Sequence, residues 1–341
     1  MPYLPTELLS KIFTLCLPEF PEVTEDAELI LPSSSEAPML LTGVCRRWGE
    51  VAAGTPSLWC QLSLRVYPED DWQQRALGYD SWLKRSRGYP LSLAVECCDD
   101  DPTKLRSLLQ PYIHQISSLY INIGYDTDRP ELMLTDLSAL RDLTMYTSGG
   151  VPLAQLIRNL PSTLRGLRVM RFDQNAFLFD LDLISSCNPV WSRLTHVTID
   201  VCHSKAALHL LHLAPNLSSL AICISFPKME ALEPFTHARL QSLRIKGYAP
   251  QTQLSNLLDA LLLPNLRILE FYNISHWPHQ ELKAFLTRSR CQLESLLLGS
   301  KVRTTEGQQA EYAALIPSLE VVADPSCSGV FGPYEWCVGH H

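Results

Sequence analysis

Leu217-Ser218-Ser219-Leu220-Ala221-Ile222, Leu240-Gln241-Ser242-Leu243-Arg244-Ile245 and Leu266-Arg267-Ile268-Leu269-Glu270-Phe271 are three copies of one pattern, L-x-x-L-x-L, in which another large apolar residue sometimes replaces a Leu. Working outward, the same pattern stands at Ile116–Ile121, Leu140–Met145, Leu164–Val169, Leu194–Ile199 and Leu293–Leu298. The fourth-position residues are 119, 143, 167, 197, 220, 243, 269 and 296, separated by 24, 24, 30, 23, 23, 26 and 27 residues. Apolar alternation inside each copy marks a strand whose anchors face one side. Helix-like pieces lie between copies: Pro152–Asn159, Lys205–Leu213, Gln253–Leu263 and Gln280–Thr287. A degenerate copy, Leu319-Glu320-Val321-Val322, follows the last, and Tyr89–Val95 supplies the first strand.

A period of this size with these anchors resembles the leucine-rich repeat, in which each unit contributes one strand and one return segment to a stacked array. The implied fold class is α/β, with parallel strands on a concave face and helices on the convex face. One departure stands out. The Asn or Cys expected three residues past the last anchor is present only as Cys202; the other copies carry Gly124, Ser148, Phe172, Ser225, Tyr248, Ile274 and Lys301. Alternation turns the residues beside the anchors toward the concave face. Tyr120, Tyr146, Arg168, Asp200, Arg244, Lys246, Glu270 and Tyr272 are therefore the candidate target-binding set. Aromatic and Arg anchors of this kind carry most of the affinity at protein interfaces.

The first 64 residues read differently. Pro5 is suited to a helix start, and Leu8, Leu9, Ile12, Phe13, Cys16 and Leu17 recur at helical spacing. A second helical stretch, Met39–Ala52, places Leu41, Val44, Cys45, Trp48, Val51 and Ala52 on one face. Phe13 and Cys45 are the expected internal members. Between the two lies Pro18–Pro38, with six acids and no Lys or Arg, read as a solvated loop.

Leu4-Pro5…Leu8…Ile12-Phe13, then Leu41…Val44-Cys45-Arg46-Arg47-Trp48…Val51, then Leu58-Trp59 together resemble the F-box, with an insertion longer than the family usually has. The resemblance implies docking onto a Skp-type adaptor and through it a cullin–RING ubiquitin ligase. By position it assigns adaptor contacts to Leu4, Pro5, Leu8, Ile12, Leu41, Val44 and Trp48. The expected organisation is a helical module over 1–64, a linking helix within 65–88 with an apolar face of Trp72, Leu77, Tyr79, Trp82 and Leu83, a repeat array over 89–325, and a C-terminal cap or tail over 326–341.

Composition agrees with a two-part binding protein. The chain has 341 residues, 28 Lys+Arg and 36 Asp+Glu, a net charge of -8. Residues 1–100 hold 15 acids and 8 bases and the remainder 21 and 20, so the acidity belongs to the first part. A basic nucleic-acid binder is disfavoured, no apolar run is long enough to span a bilayer, and no secretory leader is read at the N-terminus. The 11 Cys, without a CxxC, read as reduced thiols of the cytoplasm or nucleus. Neither GxxxxGK[ST], GxGxxG nor GxSxG occurs. His203, His209 and His212, and His276 with His279, read as structural, and the acids after Cys97-Cys98 disfavour a reactive thiolate. No cofactor, metal or active site is expected. The functional expectation is a ligase substrate receptor holding an unknown protein target; the alternatives are a non-ligase repeat scaffold and a small-molecule binder using the concave face.

Overall fold

The fold was described from a computed structural model of the chain, which describes residues 4–18, 33–66, 71–97, 103–123, 134–147, 153–171, 179–224, 231–247, 254–299, 302–316 and 320–323. Most of the acidic segment, the acids after Cys98 and the C-terminal Val330–Trp336 lie outside these residues. Two compact units result: residues 1–152 with 159–164, and residues 153–158 with 165–341.

In the first unit, α1 (Thr6–Leu15), α2 (Met39–Val44) and α3 (Arg46–Gly54) precede a 3-10 turn, Pro56–Trp59. The expected single helix over Met39–Ala52 is two. Cys45 is extended (φ -163°, ψ 165°) and starts α3. The break lets α2 fold back on α3 at Gly49, where a Cβ would stand 2.9 Å from the Thr42 carbonyl oxygen. Leu9 and Phe13 from α1, Leu41 from α2, and Val51 and Ala52 from α3 form the module's core. Phe13 and Trp48 rings meet at 5.0 Å. Cys45, expected inside, is exposed.

Four parallel strands follow: β1 (Gln61–Val66), β2 (Leu91–Cys97), β3 (Ile116–Ile123) and β4 (Asp142–Thr147). β1 was not anticipated; its alternation of Leu62, Leu64 and Val66 begins inside the segment assigned to the helical module. Between β1 and β2 runs α4 (Trp72–Arg85), N-capped by Asp71. Tyr79, Trp82 and Leu83 are buried, but Leu77 is 72% exposed, because two residues before Tyr79 is about 200° around a helix. The helix α5 (Thr103–Leu109) crosses between β2 and β3.

The second unit contains α6 (Leu153–Arg158), β5 (Gly166–Arg171), α7 (Leu181–Ser186), α8 (Asn188–Trp191), β6 (His196–Val201), α9 (Ser204–Leu213) and β7 (Ser219–Ile224). Then come β8 (Phe235–Thr236), β9 (Ser242–Gly247), α10 (Ser255–Ala260), β10 (Leu261–Leu262), β11 (Ile268–Tyr272), α11 (His279–Ser289), β12 (Ser295–Leu298), α12 (Glu306–Leu315) and β13 (Glu320–Ala323). The order of the main parallel strands is β5-β6-β7-β9-β11-β12-β13; β8 and β10 pair separately. The fold is mixed α/β and solenoid-like, as the repeats imply. Each strand starts near the third residue of its L-x-x-L-x-L copy. The leading Leu of each (Leu194, Leu217, Leu240, Leu266, Leu293) sits in the preceding turn, wholly buried.

What joins successive repeats explains how the array dispenses with an Asn ladder. The N–H groups of Thr195 and His196 converge on the Arg165 carbonyl (2.8 and 3.1 Å), and those of Ser218 and Ser219 on Thr195. The pattern continues from Gln241 and Ser242 to Ser218, from Arg267 and Ile268 to Gln241, and from Glu294 and Ser295 to Arg267. One carbonyl per repeat thus takes two backbone donors from the next, and the Thr195 and Ser218 hydroxyls add a third at the Arg165 and Thr195 carbonyls (3.3 and 2.9 Å). Asn216 and Asn265, each in a Pro-Asn-Leu triplet, add a second rung by donating to the Ser192 and Ala238 carbonyls (2.7 and 2.6 Å). Cys202 does likewise toward Phe179 (3.3 Å). Asn216→Ala and Asn265→Ala are each expected to cost about 0.5–1 kcal/mol in urea unfolding, since the bonds are exposed.

Candidate functional site

Two surfaces carry the residues singled out by the sequence. The first is the outer side of α1 and α2. Leu8, Ile12 and Leu15 follow i, i+4, i+7 spacing and are 46%, 42% and 87% exposed, whereas Leu9 and Phe13 on the opposite side are buried. Leu4, Pro5, Leu40 and Val44 are also exposed. Arg47 donates to the Leu4 carbonyl, tying the start of α1 to α3. Six of the eleven large apolar side chains exposed among the described residues therefore fall within the first 44 positions. Two of the assigned adaptor contacts are placed elsewhere: Leu41 is buried, and Trp48 is half-buried against Phe13. Both serve the module's own packing.

The second surface is the sheet face opposite the leucine anchors, taken unit by unit. In the first unit, Arg65 and Glu96 pair across β1 and β2 at 2.8 Å. Tyr120 on β3 and Tyr146 on β4 have ring centroids 5.5 Å apart. Tyr120 is half-buried, but Tyr146 is fully buried rather than displayed. In the second unit, register aligns Asp200, Cys223, Lys246 and Tyr272 in one row across β6, β7, β9 and β11. Asp200, Lys246 and Tyr272, expected to face solvent, are 7%, 6% and 8% exposed. The neighbouring row holds Arg168, half-exposed, then Thr198, Ala221, Arg244 and Glu270. Arg244 forms an ion pair with Glu270, which also accepts from the Tyr272 hydroxyl at 3.2 Å. The Arg244 guanidinium stands 6.0 Å from the Tyr272 ring. Tyr272 leans over β12 onto Gly299, where a Cβ would come within 2.2 Å of the ring. Four of the eight assigned target contacts are thus packed into the face. Period-two alternation places a side chain on a face, but it does not say whether neighbours then cover it.

Three tyrosines hold their protons to high pH. Burial, followed by the Asp80 carboxylate bonded at 2.7 Å, pushes Tyr112 up to about 12. Burial and the Glu96 charge push Tyr120 up to about 12. Burial raises Tyr312 to about 12, although its hydroxyl accepts from Trp277 Nε1 at 2.8 Å and also bonds His279 Nδ1 at 2.7 Å. A tyrosine with a folded pKa above the unfolded value of about 10 contributes stability that is complete below that pH and lost as pH rises further. Stability is accordingly expected to fall between pH 10 and about 12, which urea unfolding followed as a function of pH checks.

Three histidines are engaged in packing and hydrogen bonds. His209 bonds Ser185 at 2.9 Å, His212 stacks on Phe235 at 3.8 Å, and buried His237 accepts from Leu240 N–H and bonds the Ala214 carbonyl. Among the described residues, no group of three or more His, Cys, Asp or Glu is placed to hold a metal, and no helix is long and apolar enough to cross a membrane. A cavity of about 20 Å³ lies on the leucine side of the first unit's sheet, lined by Val95, Leu105, Leu119, Ile121 and Leu137 among others. It has room for about one water, whereas small-molecule sites run to about 300 Å³ or more.

No protein-family model matches the chain, and no curated protein matches it. Among solved structures, a chain of the crystal structure of the Rad7 and Elc1 complex in yeast is similar, with a TM-score of 0.42 and 13% identity over 80% of this chain and 77% of that one. A likeness of that size assigns neither fold nor function.

Proposed function

We propose that the chain is a substrate-recognition subunit of a Skp–cullin–F-box ubiquitin ligase, the helices of residues 1–64 docking on the Skp-type adaptor and the repeat array holding a protein target. One observation carries the reading. The positions that the F-box resemblance assigns to the adaptor just before α1, on α1 and at the end of α2, namely Leu4, Leu8, Ile12 and Val44, are large apolar side chains left exposed, those on the helices lying opposite buried sides. Such a row is suited to an apolar groove in the helix-in-groove mode. The protein would act without an active site of its own, in the cytoplasm or nucleus, by presenting its target to a conjugating enzyme carried elsewhere in the complex. Its contribution to rate would be proximity.

The test is a pull-down of purified full-length chain with a Skp-type adaptor. Leu8→Asp with Val44→Asp is expected to weaken binding at least 100-fold, since buried anchors at interfaces are worth about 2 kcal/mol or more each. Because both side chains face outward, the thermal melt should be unchanged. Undiminished adaptor binding by the double variant sinks the proposal.

A further inference from the structure

The parallel strands of the second unit bring all their N-terminal turns to one edge, and that edge is cationic. Arg165 immediately precedes β5, Arg193 lies three residues before β6, Arg239 three before β9, Arg267 immediately before β11, and Arg290 ends α11 on the way to β12. The backbone ladder puts Arg165 and Arg267 in a single row, with Thr195, Ser218 and Gln241 between them. The Asn216 and Asn265 rungs place Arg193 and Arg239 beside a second row. Among the described residues of segments 165–168, 189–196, 214–219, 237–242, 264–268 and 289–295, the only acid is Glu294, bonded to Arg267 at 2.9 Å. Arg165, Arg239, Arg267 and Arg290 are exposed and Arg193 is half-buried.

We infer that this edge docks an acidic peptide segment of the partner protein. Four features select that occupant. All five cations are Arg, whose planar fork matches a carboxylate through two bonds as Lys does not. The edge runs over six strands, about 24 Å at the usual ~4.8 Å spacing, which an extended segment of about eight residues covers. The sheet face has less charge to offer an acidic partner: Lys246 and the Arg244–Glu270 pair are largely covered and Arg168 is half-exposed, whereas the Arg267–Glu294 pair at the edge is solvent-exposed and so weakly held. Finally, Arg193 is held next to Arg165; burial first, and then that neighbour's charge, lowers its pKa. An arriving carboxylate relieves this repulsion. A nucleic acid is the poorer fit. Of the rings near the edge, Trp191 and His237 are buried and His196 alone is exposed, a single ring where single-strand binding uses a series of stacking platforms.

The inference rests on the repeat array being the target-binding part, but its test does not involve the adaptor. A fluorescein-labelled 12-residue peptide of alternating Glu and Gly is titrated with full-length protein in low salt and followed by anisotropy. Arg165→Glu with Arg267→Glu is expected to weaken binding at least tenfold, and the milder Arg165→Gln with Arg267→Gln at least threefold. Lys205→Glu with Arg303→Glu, the same change in charge at the opposite strand ends, should stay within twofold of wild type. Circular dichroism melts confirm that all variants fold. The inference is overturned if wild type does not bind, if the control pair loses as much as the edge pair, or if an oligothymidine of equal charge binds more tightly than the peptide. Leu8→Asp with Val44→Asp should bind the peptide as wild type does, so failure at the edge and failure at the adaptor surface are read separately.

Discussion

Trp59→Ala is expected to lower the unfolding free energy by about 3–5 kcal/mol, the range for deleting a fully buried aromatic side chain. Trp59 is 0% exposed at the meeting point of α3, α4 and the 3-10 turn. Its ring packs edge-on against Trp82 at 4.9 Å, and the Arg85 guanidinium lies 4.3 Å above it. Its Nε1 donates at 2.9 Å to the Ala52 carbonyl in the last turn of α3, which also accepts from the Thr55 N–H at 3.3 Å. Removing the ring leaves a cavity and strips α4 of its packing partner, so adaptor binding should weaken along with stability. Trp59→Phe, which keeps a six-membered ring but loses the donor and three ring atoms of the indole, should cost less, about 1–2 kcal/mol. Chemical denaturation followed by circular dichroism separates the two. Equal losses would show that the hydrogen bond, not the ring, dominates. The second unit repeats the device: Trp191 donates to Ile184, again seven residues upstream, at 2.7 Å.

Gly299→Ala is the other large effect, expected to cost about 1–3 kcal/mol as overpacking. The added methyl would stand 2.2 and 2.4 Å from Tyr272 Cδ1 and Cε1. That ring cannot swing aside without giving up its bond to Glu270, which in turn pairs with Arg244. Adding Tyr272→Ala removes the clashing ring, so the double variant should be more stable than the sum of the two single changes implies, by about 1 kcal/mol or more. Strict additivity would mean that the ring does not lie on Gly299. Neither change touches the edge arginines, so binding of the Glu-Gly peptide should persist in any variant that folds.

The repeat strands were legible in the sequence because their signal is one of spacing: a buried Leu at the turn and two alternating anchors need no knowledge of neighbours. β1 escaped because it has no L-x-x-L-x-L copy, only Leu62, Leu64 and Val66 adjoining the helical module. The helix break at Cys45 depends on a tertiary event, the approach of Gly49 to Thr42, and no local pattern announces it. The sheet face opposite the leucines was half legible for a similar reason. Alternation correctly puts Tyr272 and Lys246 on the face, but Tyr272 is buried by leaning over a glycine 27 positions later. The edge arginines were visible one by one. Summing 21 acids and 20 bases beyond residue 100 averaged them away, because net charge carries no information about which ends of the strands hold it.

The ladder that joins the repeats has a consequence for how such a protein can change. Its rungs at 165, 195, 218, 241, 267 and 294 are Arg, Thr, Ser, Gln, Arg and Glu, six positions with five residue types making the same backbone bonds. Only proline, which has no N–H, is barred from the donating positions. The side chains at these rungs add bonds only at some repeats, as at Thr195, Ser218 and the Arg267–Glu294 pair, so the backbone carries the common part of the stacking and a new partner can be acquired by rewriting one edge, repeat by repeat, while the leucines behind it stay as they are.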